Sequence, residues 1–286
     1  MNIRYICPFW GKENLSAVAF LDLVLEHGYG GIEIHLPDND VFIKDLFSKV
    51  EEIRKADPGF ALILQQLEFP ASPDVGQYIL AMENKLKELA DYQPDFINSH
   101  TGRDYYSFED NCKALEAAMQ ISEESGVKIL HETHRGRFSF HAATLLPYLE
   151  KYTIIELTAD FSHFCAVSES MLEDQVQILN KIIPHVSYIH ARIGHAQGAQ
   201  VNDPFAPEWW AELNAFLSWW NQILRQRMMN GEKETMICTE FGPAPYMPAA
   251  PFTKKPLADQ WSINVGMKEF LQNHFRIEGV GVGVSA

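Results

Sequence analysis

Carboxylates, imidazoles and carboxamides recur at one kind of place along this chain. Short apolar, β-prone runs end in Glu33 and His35, in Gln65 and Gln66, in His100, in Glu132 and His134, in Asp160 with His163 close behind, in His190 and Arg192, and in Glu240. Side chains alternate with period two along a strand. Glu33 therefore shares a face with His35, Asn98 with His100, and His190 with Arg192; in the sixth run Glu156, Thr158 and Asp160 lie opposite Leu157 and Ala159. A single Glu or His at a strand end is ordinarily a satisfied structural group. The weight comes from recurrence on seven of eight runs. If these ends converge, three carboxylates would face one another, repelling and losing hydration. A divalent cation resolves that conflict, and a mixed oxygen and nitrogen donor set suits Mn²⁺, Zn²⁺, Co²⁺ or Mg²⁺.

The elements that must bring them together are read from periodicity. Strand patterns are expected at 3–7, 31–35, 61–67, 96–100, 127–132, 154–160, 187–192 and 236–241. Between them lie stretches with apolar residues three and four apart, such as LSAVAFLDLVLEHG and NCKALEAAMQISEESG, which stop at Gly28 and Gly126. Eight strands that each precede a helix, at spacings of roughly 30 residues, predict parallel βαβ units. The count favours closure into a (β/α)₈ barrel, an α/β fold, over an open sheet. No G-x-G-x-x-G follows the first strand, so the nucleotide fingerprint of an open sheet is absent. No composition shift divides the chain, and one barrel domain is expected over 1–286. Two connections exceed what a barrel needs, at 194–207 and 242–256. Both should leave the C-terminal face, where barrel sites lie, as substrate walls or lids. The closing GVGVGVSA carries no visible chemistry.

Bulk composition narrows the partners. With 47% hydrophobic and 21% charged residues, the 286-residue chain can bury a large core without staples. Against 38 acidic residues stand 23 basic ones, a formal charge of −15, with no basic run to grip a phosphate backbone. No nucleic-acid partner is expected on that ground. Cys7, Cys112, Cys165 and Cys238 form no C-x-x-C pair, which points to a reducing compartment. No apolar run reaches the roughly 18 residues of a membrane span, and no signal peptide is visible, so the expected location is cytoplasmic.

The fragments GGIEIHLP, HETH, ADFSH, IHAR and TEFGP, in this order, resemble the xylose isomerase-like barrel superfamily of sugar (phosphate) isomerases and epimerases. The resemblance runs from the second strand to the eighth. It implies one divalent metal held by Glu132, Asp160, His190 and Glu240, with Glu132 and Glu240 also serving as the acid and base. It makes His163, in D-x-x-H with Asp160, a substrate-orienting group. His100, His134, Arg192 and Glu33 complete the expected substrate-facing set, with Glu33 expected chiefly to anchor the barrel mouth. Phe9, Trp10 and Tyr246 are candidates for an apolar wall, whereas His131 should point away towards the helices. The implied activity is isomerisation or epimerisation of a small sugar, sugar acid or sugar phosphate.

Two departures bear on the substrate. Where the ketose epimerases carry a further Glu beyond the fifth-strand ligand, this chain runs HRGRF, and Arg192 follows His190 by only two positions. Extra cationic groups near the metal suit a carboxylate, phosphate or acidic sugar. A dehydratase or lyase acting on a polyol or ketoacid needs the same first step, proton abstraction beside a carbonyl. A non-catalytic barrel is the alternative of a different class. The two-metal hydride-shift isomerases use a Lys near the strand ends, and none stands there. A homodimer is expected by resemblance, with the tryptophans at 209, 210, 219 and 220 as core or contact.

Overall fold

The computed structural model describes residues 1–67 and 74–277. Its strands are β1 (Asn2–Pro8), β2 (Gly31–Ile34), β3 (Ala61–Gln66), β4 (Phe96–Ser99), β5 (Ile129–Glu132), β6 (Leu157–Ala159), β7 (Val186–His190) and β8 (Glu234–Cys238). They pair in sequence order, all parallel, and β8 returns to β1 to close the barrel. The expected (β/α)₈ architecture is what the chain adopts. The helices are α1 (Ala17–Glu26), α2 (Asp40–Ala56), α3 (Val75–Asp91), α4 (Phe108–Ser125), α5 (Ala142–Lys151), α6 (Phe161–Ser168), α7 (Val176–Ile182), α8 (Trp210–Met229) and α9 (Gln260–Ile277). The GVGVGVSA tail lies outside the described residues.

Period-two alternation builds two cores at once, because strands of a barrel are buried on both faces. Ile6, Ala61, Ile63, Phe96, Leu130, Tyr188 and Cys238 point into the barrel and pack on one another. Their neighbours Cys7, Leu62, Leu64, Ile97, Ile189 and Ile237 point outward into the larger core beneath the helices. The helices enter that layer through stripes of apolar residues, and α1 to α6 start on a side-chain cap. Ser107 accepts from the Asp110 amide at 3.1 Å, and Gly126 ends α4 at φ 72°, a left-handed turn that suits glycine. Trp219 and Trp220 are core residues, Trp209 is half-buried, and Trp210 is exposed.

The sixth strand differs most from expectation. It spans three residues rather than 154–160, because the chain turns into α6 at once and Asp160 becomes its N-cap. Glu156 precedes the strand and bonds Lys128 at 2.8 Å and Ser187 at 2.5 Å, so it does not share the mouth with Asp160.

Candidate metal centre

The four C-terminal strand ends deliver the candidate ligands. Glu132 is the last residue of β5 and His190 the last of β7; Asp160 follows β6 directly, and Glu240 stands two residues past β8. All four are buried, and one donor atom from each lies within 4.8 Å of the other three. His190 Nδ1 is 2.9 Å from Glu240 Oε2 and 3.7 Å from Glu132 Oε2. The contact between His190 Nδ1 and Glu240 Oε2 lacks hydrogen-bond geometry, and neither atom bonds any other described residue. Buried polar atoms are nearly always paired. Three carboxylates around two orphaned donor atoms are a set that a divalent cation satisfies, so these residues fit the metal.

The opposite edge of His190 is held firmly. Its Nε2 donates to Glu33 Oε2 at 2.9 Å, and the Tyr188 hydroxyl donates to the same oxygen at 2.7 Å. Asn98 Nδ2 donates to Glu33 Oε1 at 2.9 Å and to Glu132 Oε2 at 2.8 Å. A proton held on Nε2 by a carboxylate leaves the Nδ1 lone pair for the centre, the usual way a ligating imidazole is oriented. Glu33 was expected among the substrate-facing groups, but it lies beneath the ligands inside the barrel and does not line the cavity.

Electrostatics tell the same story of missing positive charge. Burial alone would favour neutral His190, yet the carboxylates of Glu240, Glu33 and Glu132 outweigh it and push its pKa well above the usual value. Burial raises Asp160 to about 6, with Arg192 opposing and Glu240 and Glu132 adding to the rise. Burial also penalises the charged form of Glu132, but His100 and His190 prevail and hold it well below the ordinary range. Protons are drawn to this cluster because negative charge is concentrated there.

Above the ligands opens a cavity of about 450 Å³. Glu132 and Glu240 face it, with His100, His134, Arg137 and Arg192 around them and Phe9, Trp10 and Tyr246 forming an apolar wall. His100 Nε2 lies 3.0 Å from Glu132 Oε2. Arg192 is 1% exposed; it is paired with Asp160, lies 3.6 Å from Glu240, and sits 4.7 Å from the Tyr246 ring centre. His163 was expected to touch substrate, but it does not line the cavity. It is fully buried, packs against His134 with ring centres 3.9 Å apart and tilted by 47°, and accepts from Arg192 Nη2 at 2.9 Å. Burial, and then His134 for His163 and His100 for His134, hold both imidazoles well below the usual pKa, so the pair is neutral. His131 points away as expected, bonding Thr101 at 2.7 Å, and burial lowers it to about 4.

Several cavity residues carried little signal. Arg137 was visible only as a departure from the epimerase pattern, and its guanidinium lies 3.5 Å from His100 Nδ1. Glu13 and His35 also line the cavity. Glu13 sits in the loop before α1, where no periodicity marks it; His35 was marked only by sharing a face with Glu33. Gly242 passes so close to Trp10 that a Cβ there would sit 2.2 Å from the ring. Gly242→Ala should therefore displace the indole from the cavity wall and destabilise the fold by about 1–3 kcal/mol, as overpacking does. A lowered midpoint in urea together with altered tryptophan fluorescence would check it.

No family model matches the chain, and no curated protein matches it in sequence. Solved structures do. The IolI protein with a bound zinc atom aligns over 96% of this chain and 98% of its own, at 16% identity and a TM-score of 0.64. A xylose isomerase domain-containing protein from Salmonella typhimurium LT2 aligns over 96% and 98%, at 14% identity and a TM-score of 0.61. The probable 3-DHS dehydratase AsbF from Bacillus anthracis, involved in petrobactin synthesis, aligns over 94% and 99%, at 16% identity and a TM-score of 0.59. At these identities the likeness speaks for the fold. The chain has the fold of the xylose isomerase-like TIM barrels.

Proposed function

We propose that this chain is a divalent-metal-dependent isomerase or epimerase of a sugar or sugar derivative, working by proton transfer at a carbon beside a carbonyl. The observation that carries it is the double position of Glu132 and Glu240. Both belong to the buried four-residue donor set, and both face the cavity. Asp160, His190, Glu132 and Glu240 would hold the metal, which when bound supplies Lewis acidity to a carbonyl and the hydroxyl next to it. Glu132 removes the proton from one face of the carbon and Glu240 returns it on the other. His100 donates to a substrate oxygen or to Glu132, Arg192 pairs with developing negative charge, and Trp10 and Tyr246 exclude water from one side.

A dehydratase acting on a polyol or ketoacid is the second reading. What favours it is the imidazole of His100 at the cavity edge, 3.0 Å from Glu132, where an oxygen leaving the carbon next to the deprotonated one could receive a proton. One experiment separates the two. The purified protein is analysed for bound metal, loaded with Mn²⁺, and incubated in D₂O with aldoses, ketoses, cyclic polyols and sugar acids. Carbon-bound deuterium without loss of mass supports isomerisation, and a product lighter by one water supports dehydration. A metal-loaded protein that exchanges no proton across the panel would sink both, and favour a barrel that only binds.

A further inference from the structure

The chain beyond β8 has to place Glu240 without a strand to hold it. Sheet pairing ends at Cys238, so the backbone groups of the next residues must find other partners. Side-chain carboxamides supply them. Asn264, from α9, accepts the Phe241 N–H at 2.8 Å and donates to the Phe241 carbonyl at 3.0 Å. Gln200, from the loop after β7, accepts the Gly242 N–H at 2.7 Å and donates to the Gly242 carbonyl at 3.0 Å. Gln260, also on α9, donates to the Phe241 carbonyl at 2.7 Å and to the Trp10 carbonyl at 2.8 Å. A carboxamide carries a donor and an acceptor side by side, so it can pair with both groups of one residue as a neighbouring strand would.

We propose that Gln200, Gln260 and Asn264 are positioning residues, which replace the missing strand and set Glu240 and Trp10 against the same cavity. Gln200 does more than hold one residue. It ties the long loop after β7, which does not itself line the cavity, to the loop after β8, which supplies Tyr246 to the cavity wall. Gln260 links the same segment to the chain that carries Trp10. Asn264 and Gln200 are both buried, so losing either leaves polar backbone atoms unpaired next to Glu240. The metal-binding consequence rests on reading Glu240 as a ligand; the backbone consequence does not.

The test uses the full chain with Gln200→Met, Asn264→Leu and, as a control, the exposed surface amide change Gln120→Glu. Amide hydrogen exchange is followed across 239–247, Mn²⁺ affinity is measured by electron spin resonance of the free ion, and thermal unfolding is recorded beside them. In folded variants, exchange should quicken at least severalfold at Gly242 in Gln200→Met and at Phe241 in Asn264→Leu, and Mn²⁺ should bind roughly tenfold more weakly, the scale of losing an outer support. Gln120→Glu should leave both unchanged. Should Asn264→Leu fail to fold, Gln200→Met, in a loop, carries the test. Variants that exchange and bind Mn²⁺ as the parent does would overturn the proposal. If the parent itself binds no Mn²⁺, the metal reading falls, and the exchange result alone decides the clamp.

Discussion

Asp160→Asn combined with Glu240→Gln should abolish measurable Mn²⁺ binding while leaving a folded barrel. The two changes remove two of three carboxylates from the donor set, leaving Glu132 and His190. They also strip Arg192 of its nearest carboxylates, since the guanidinium is paired with Asp160 and lies 3.6 Å from Glu240. The centre would then hold an uncompensated buried cation that repels the metal. Leaving such a charge unpaired costs about 3–5 kcal/mol, so Glu240→Gln alone is the companion variant should the double one not fold. For the parent, Mn²⁺ at a hundredfold excess over its dissociation constant should stabilise the fold by about 2.7 kcal/mol. Calorimetric titration with Mn²⁺ and melting curves with and without it provide the measurements. Parent-like affinity in the double variant would end the case for this metal centre.

Glu33→Gln has the second-largest expected effect, although Glu33 does not line the cavity. Its carboxylate accepts from His190, Tyr188 and Asn98. A glutamine has one acceptor oxygen where those three donors need two. If its amide nitrogen meets His190 Nε2, the imidazole proton moves to Nδ1 and closes the lone pair that faces Glu132, Asp160 and Glu240. Metal affinity should fall about 10- to 100-fold, the range for losing the outer carboxylate of a ligating histidine. Nitrogen NMR of His190 reports the tautomer directly, and the Mn²⁺ dissociation constant reports the consequence. An unchanged tautomer with unchanged affinity would return Glu33 to a purely structural role.

Much of the barrel is legible in the amino-acid order, because strand and helix patterns are local. Ile6 against Cys7, and Ile63 against Leu62 and Leu64, declare a strand buried on both faces. The same alternation correctly aligned Asn98 with His100, and both now contact Glu132. Alternation overran the strand at 154–160: residues 154–156 precede it and Asp160 follows it. Asp160 capping a helix outcompeted another strand residue. It also could not tell a residue facing substrate from one supporting a ligand. Glu33 and His163 have the same types and spacing as cavity residues, yet each is covered by other side chains.

By itself, the sequence determined the fold class, the strand ends that carry polar groups, and the excess of carboxylates over cations among them. Tertiary structure decided the pairings. Glu33 on β2 and His190 on β7 are separated by 157 positions and meet only across the closed barrel, whereas Arg192 reaches Asp160, 32 positions away, through the pairing of β6 with β7. The same holds for the carboxamides behind Glu240. Gln200 lies in an aperiodic loop, and nothing local marks it as a partner for Gly242, 42 residues away. Periodicity records which face a residue occupies, whereas a metal centre depends on which faces meet.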